Sequence, residues 1–153
     1  MLRARHSVVC VLVGSTTYNS GWAKYEIARA IVDRKGLLAV HINGINHHQR
    51  KAPDGLGINP LHMMGIYRSP NGIHYLVDRR PVVVNAATAE LGFKWHFYED
   101  YKDAVSLPAY MPPMGLETVV ALSQHTHEYD MMAGGGYQNL WGWIETAAVD
   151  AGR

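Results

Sequence analysis

Glu26 is the side chain in this sequence best placed to do chemistry. It follows Trp22 by four positions in the stretch Ser15-Thr16-Thr17-Tyr18-Asn19-Ser20-Gly21-Trp22-Ala23-Lys24-Tyr25-Glu26, and that spacing makes an indole and a carboxylate neighbours on one face of a helix. Close to the positive end of the helix, a carboxylate walled by an indole is partly desolvated. The layout is that of a ligand site with Glu26 as its reactive group.

The elements that must hold this site are legible on either side of it. Ser7-Val8-Val9-Cys10-Val11-Leu12-Val13-Gly14 is an unbroken apolar run rich in β-branched residues, the pattern of a strand covered on both faces in a parallel sheet. The turn after it then lies at the strand's carboxyl end, where open α/β sheets bind ligands. Ser20 suits the N-cap of the next helix, and Gly36 suits its end. Ala23, Ile27, Ala30 and Ile31 recur at helical spacing as the sheet-facing stripe, with Glu26 on its boundary. Leu37-Leu38-Ala39-Val40-His41-Ile42 makes a second buried strand, so the first third reads β-α-β with a right-handed crossover. The expected architecture is α/β, a doubly wound, mostly parallel sheet. His41 and Asn43 would stand at its carboxyl edge beside the Ser15 turn, where either could hydrogen-bond a ligand.

Further along, Asn46 to Pro60 is polar and rich in Gly and Pro, a long loop that either covers a site or stays mobile. Ile66-Tyr67-Arg68 and Ile73-His74-Tyr75-Leu76-Val77 flank Ser69-Pro70-Asn71-Gly72, a β-hairpin whose Asn-Gly pair supplies positive φ angles. Pro81-Val82-Val83-Val84 reads as an edge strand, and Asn85 as the cap of a short helix ending at Gly92. Pro108, Pro112 and Pro113 break the chain into irregular structure. Tyr137, Leu140, Trp141, Ile144, Ala147 and Ala148 recur at i, i+3, i+4 and i+7, an amphipathic C-terminal helix docked by large aromatic and aliphatic side chains.

Composition fits one soluble domain over residues 1–153. The chain has 153 residues, 48% of them hydrophobic, and a formal net charge of +1, which is enough for a single core and gives no field to recruit nucleic acid or anionic lipid. No run approaches the ~18 apolar residues of a membrane span and no signal-peptide pattern follows the basic start, so a cytoplasmic location is expected. The single cysteine, Cys10, lies inside an apolar strand and reads as a small core residue. Nine histidines are scattered. The tight pairs His47-His48 and His125-Thr126-His127 lack the third and fourth ligands of a zinc site, so no metal is expected. Gly134-Gly135-Gly136 lacks the lysine and spacing of a P-loop and reads as a flexible connector. Ser15 has no Gly-x-Ser-x-Gly elbow around it.

The pattern Ser-x-x-Tyr-x-Ser-x-Trp-x-x-x-Glu from Ser15 to Glu26 resembles the αC region of TIR domains. The fuller resemblance is to the TIR-like ThsB proteins of the bacterial Thoeris anti-phage system, through Val9-Cys10-Val11-Leu12-Val13-Gly14-Ser15, Trp22-Ala23-Lys24-Tyr25-Glu26-Ile27 and Ala39-Val40-His41-Ile42-Asn43. Weaker echoes occur at Gly57-Ile58-Asn59-Pro60, Tyr98-Glu99-Asp100-Tyr101-Lys102-Asp103, Gly136-Tyr137 and Trp141. Members of that family begin with a strand, a polar loop and a helix ahead of the segment matched here to Ser7. Met1 to His6 are too few to supply them, since a parallel crossover needs about a dozen residues or more. The family's first-strand loop, one wall of its nucleotide pocket, is therefore expected to be missing: either the chain is a fragment or shortened gene product, or something else covers the exposed sheet edge.

The resemblance implies a flavodoxin-like, TIR-like fold and an NAD-cleaving enzyme, with Glu26 catalytic and Ser15, Tyr18, Trp22 and Asn43 binding the substrate. One carboxylate is sufficient for breaking the ribosyl–nicotinamide bond, because the leaving group is already cationic and needs no general acid, unlike an ordinary glycoside. NAD is then substrate, not cofactor, and no other cofactor is implied. Attack by water gives ADP-ribose; attack by an adenine nitrogen of the same molecule gives a cyclic isomer. The likeness to ThsB favours the cyclised product, a diffusible signal that activates a partner effector. The alternative is a non-catalytic TIR-like module that binds nucleotide or self-associates through its sheet edge.

Overall fold

The structure, a computed structural model, describes residues 8–44 and 57–152. Strand β1 (Val8–Val13) pairs in parallel with β2 (Gly36–His41), and helix α1 (Gly21–Val32) crosses between them. The third member of this sheet comes from late in the chain: β8 (His127–Asp130) pairs in parallel with β2. The order is β1-β2-β8. Alternate residues of the two first strands go to opposite faces, as the two-residue period requires. Val9, Val11, Val13, Leu37 and Ala39 join α1 in one core, while Val8, Cys10, Leu38 and Val40 meet helix α2 (Gly136–Asp150) in another. The sheet is doubly wound and the α/β, TIR-like reading holds.

The rest is a second, antiparallel sheet. Strands β3 (Met64–Arg68), β4 (His74–Asn85), β5 (Glu90–Phe97) and β7 (Thr118–Ala121) lie in the order β5-β4-β3-β7, with short β6 (Ala104–Val105) paired to β4. Leu61, Met64, Ile66, Leu76, Tyr98 and Leu122 from this half share one buried cluster with Ile27, Ala28, Ala30 and Ile31 of α1. The helix is thus buried on two sides, which explains why Ala28, outside the expected stripe, is only 1% exposed.

The β3–β4 hairpin forms where its Asn-Gly pair is, but only Gly72 takes a positive φ, of 82°; Ser69 closes the loop by accepting from Gly72 and Ile73. Pro81–Val84 is the far half of a twelve-residue β4. Asn85 starts no helix: its Oδ1 accepts from Ala87 and Thr88 N–H in a tight turn, and the chain returns as β5. The turn chemistry of Asn satisfies either outcome, and pairing with β4 decides for the strand. The helix α1 ends at Val32, and the left-handed position beyond it is taken by Arg34, at φ 56°. Gly36 lies inside β2 instead. A Cβ there would sit 2.3 Å from the Ala147 carbonyl oxygen, so glycine is what lets α2 press onto the strand.

In α2 the docking face is rotated from the expected stripe. Tyr137 and Trp141 are 76% and 72% exposed, and Leu140, Trp143, Ile144 and Ala147 make the contact. Trp143 stacks on Tyr129 of β8, rings 4.2 Å apart and 3° from parallel, a flat partner that exists only because β8 joins the sheet. The triglycine is a tight turn and no connector: Gly134 and Gly136 donate to the Asp130 and Met131 carbonyls. Of the loop expected over residues 46–60, the stretch through residue 56, with His47-His48, lies outside the described residues, as does the segment before Val8. Residues 57–59 lead into a short 3₁₀ turn, Pro60–His62.

Candidate active site

The site grows from the end of β1. Past Val13 the chain turns at Gly14, whose N–H donates to Thr17 Oγ1 at 2.8 Å, and then makes a single 3₁₀ turn over Thr17–Asn19. Ser20 caps α1 as its type predicts, its hydroxyl accepting from the Ala23 N–H at 3.3 Å. This fixes the cap six residues after Gly14 and brings Glu26 into the second turn of the helix. Glu26 is half-buried at the flank of the helix, beside buried Ile27 and Ala30. Its carboxylate makes no hydrogen bond or ion pair with any other described residue. Trp22, by contrast, is 71% exposed and leans on Tyr25, ring centroids 5.9 Å apart and tilted by 32°. The indole borders the site from the solvent side and is not packed into it.

Ser15 is exposed and Tyr18 half-buried on the turn ahead of the helix. Gly57 closes over that turn so tightly that a Cβ on it would fall 1.9 Å from the Gly14 carbonyl oxygen; no side chain fits there. From the neighbouring strand, the Ile42 N–H donates to Val13 O, so β2 runs past the end of β1 and carries Asn43 onto the same carboxyl edge. Asn43 Oδ1 is buried with no hydrogen-bond partner among the described residues, and an amide oxygen in that condition has acceptor capacity to offer a ligand. His41 faces the α1 side of the sheet, is 5% exposed, and pairs through Nε2 with Glu128 of β8. Its role is to tie β2 to β8. Ser15, Tyr18, Trp22, Glu26 and Asn43 thus all belong to the carboxyl edge of β1 and β2 or the helix that leaves it.

A second group of polar residues beside the helix start was not foreseen. Lys24 Nζ reaches Asp78 Oδ2 at 3.2 Å, and Asp78, 5% exposed, also accepts from Arg80 Nη2 at 3.3 Å; Arg80 in turn meets Glu99 at 3.2 Å. Together with Gly21, Tyr98 and Asp100 these four residues line a cleft of about 200 Å³. Burial, with Asp100 beside it, pushes the Tyr98 phenol up to about 12, and the hydrogen bond to Asp78 raises Arg80 further. One signal for this was present in the sequence: a lysine in the first turn opposes the helix dipole and so calls for an acidic partner elsewhere. No group of three or more metal-ligating side chains lies together among the described residues. Of the pair His125 and His127, only His127 is in β8, where it bonds Asp150 at 3.0 Å. No described helix is long and apolar enough to cross a membrane.

Comparison with known proteins gives this geometry a context. Residues 3–47 match the family described as "Thoeris protein ThsB, TIR-like domain", a segment that includes all five candidate residues. The chain is also 29% identical over 142 residues to a Bacillus cereus (strain MSX-D12) protein named "Putative cyclic ADP-D-ribose synthase ThsB1"; the alignment covers 90% of this chain and 66% of that relative. The chain therefore spans just under two thirds of the relative's length. Over residues 3–47 it is similar to the TIR-like domain of Thoeris ThsB proteins, and its likeness to a ThsB1 protein extends along most of the remaining sequence.

Proposed function

We propose that this chain serves bacterial anti-phage defence as a TIR-like enzyme that breaks the ribosyl–nicotinamide bond of NAD and releases a cyclic ADP-ribose-type signal to a partner effector. The observation that carries the reading is the family match running through β1, its turn and the first turns of α1, the segment that holds Glu26 half-buried with no counter-ion among the described residues. The name of the relative, a cyclic ADP-D-ribose synthase, supplies the substrate and product class.

Glu26 is the group on which the chemistry rests. As the bond to nicotinamide lengthens, the ring leaves neutral and positive charge builds on the ribose. A fixed carboxylate in partly dry surroundings stabilises that charge more than it stabilises bound NAD, which is the condition for rate acceleration. Before the bond breaks, the same carboxylate can hold the ribose hydroxyls. Asn43 offers its unpaired amide oxygen to a donor on the ligand, Ser15 and Tyr18 offer hydroxyls, and Trp22 offers an apolar face. Capture of the ribosyl cation by an adenine nitrogen of the same molecule closes the ring; capture by water gives ADP-ribose.

The test is nicotinamide release from NAD by the purified protein, compared with Glu26→Gln. That substitution keeps shape and removes the anion, so release should fall at least a hundredfold, the scale of losing a preorganised charge from a transition state. Equal release by the two proteins would end this reading.

A further inference from the structure

The outer edge of the antiparallel sheet is β5, an eight-residue strand that pairs with β4 and, among the described residues, with nothing on its other side. Short β6 takes the same flank of β4 but only at His74 and Tyr75, clear of the Val77–Asn85 stretch that β5 occupies. An open edge presents a row of unpaired N–H and C=O groups that templates another strand, and proteins commonly blunt it with proline or a bulge. β5 contains no proline, and the register shift in its pairing with β4 falls at the Val83/Asn85 tip. Its side chains are conspicuously bare: Leu91 is 65% exposed, Phe93 51% and Phe97 57%. The pairs Pro81↔Phe93 and Val83↔Leu91 put these groups on one face of the sheet, with Val83 61% exposed beside them. From Pro81 outward, β4 and β5 pair, among the described residues, only with each other. Such a two-stranded arm is marginally stable alone in water, and a third strand is what it lacks.

We propose that β5 is a homodimer edge: two copies of this chain pair their β5 strands antiparallel about a two-fold axis, Gly92 opposite Gly92. A two-fold axis perpendicular to the sheet leaves each residue on its own face, so only a few registers are open. Centring on Lys94 sets two ammonium groups directly against each other, which is unfavourable. Centring on Phe93 places Glu90 against His96 and Lys94 against Gly92, with no carboxylate–ammonium pair. Centring on Gly92 places Glu90 against Lys94 twice and Leu91 against Phe93 twice, so charged and apolar cross-strand pairs are satisfied together. Gly92 is held as glycine by the arm itself, since a Cβ there would lie 2.8 Å from Val84 Cγ1, and the centre of the pairing is therefore free of side chains. The interface is isologous and closes at two copies, joining both sheets edge to edge and both apolar stripes into one continuous face.

Sedimentation equilibrium over a concentration series tests this on the whole chain. The expected result is a monomer–dimer equilibrium whose dissociation constant rises about tenfold in Glu90→Lys and likewise in Lys94→Glu, two like-charge pairs replacing two favourable ones in each case. The double reversal should return it to the wild-type value. Both residues are exposed, so the fold is expected to survive, which thermal unfolding of each variant verifies. Hydrogen exchange supplies a second reading, in which the outward β5 amides gain protection as concentration rises. A monomer at every concentration overturns the proposal. So does a dimer indifferent to the single reversals, a double reversal no better than either single, or protection that appears away from β5.

Discussion

At the scale of single residues, type and local spacing carried most of the information. Ser20 caps α1 because its hydroxyl meets an N–H three positions on, and Glu26 lies at the boundary of the buried stripe because 3.6-residue periodicity puts it there. What the spacing misjudged was the indole: Trp22 has its own aromatic neighbour, Tyr25, and stays in solvent. Other residues acquire their character only from distant ones. His62 donates or accepts at both ring nitrogens, to Ser123 Oγ at 3.1 Å and with Arg79 Nη1 at 3.0 Å. Because the guanidinium can only donate, Nε2 is the acceptor and the ring is neutral. Desolvation, aided by Arg79, lowers the His62 pKa from 6.5, and desolvation with Arg68 lowers that of His74. The folded state then binds fewer protons than the unfolded one just below pH 6.5, so stability is full above that value and declines as pH falls through the folded-state pKa values. Urea titrations between pH 7.5 and 5 should show this decline, and the His62→Gln, His74→Gln double variant should show a smaller one. An unchanged slope would refute the assignment.

At the scale of elements, α1 is the piece on which the candidate site depends, and it is fixed from two directions. Its apolar face meets the parallel sheet, and Lys24 ties its first turn to Asp78 of β4, 54 residues away in sequence. Asp78 receives both Lys24 and Arg80. Removing it strips the largely buried Lys24 ammonium of its carboxylate while Arg80 keeps Glu99, so Asp78→Ala should cost about 1–3 kcal/mol in chemical denaturation. A loss under about 0.5 kcal/mol, the level of an ordinary surface change, would show that the tie contributes nothing. The contact of α2 with β2 depends on a missing side chain instead. Gly36→Ala would drive a methyl into the backbone of Ala147, and the required shift of the helix should lower stability by about 2 kcal/mol or more. The thermal midpoint reads this directly, and an unchanged value would mean that α2 is free to move away.

At the scale of the whole molecule, a three-stranded parallel sheet and a larger antiparallel one share a core built around α1, and the larger sheet ends in an edge able to join a second copy. The sequence by itself determined the features that close over a few residues: the apolar runs of β1 and β2, the capped helix between them, the turn at Gly72, and with these the neighbourhood of Ser15, Tyr18, Glu26 and Asn43. Caps, turns and periodicity act within one or two turns of chain, so a short window contains their whole cause. Only the tertiary structure decided the rest. Residues 86–97 became turn and strand because β4 was there to pair with them. Trp143 displaced Tyr137 and Trp141 from the docking face because β8 brought Tyr129 beneath it. Asp78 found Lys24 because two sheets met across one helix. Each of these outcomes depends on partners tens of residues apart, and their identity is set by packing, which no local pattern encodes.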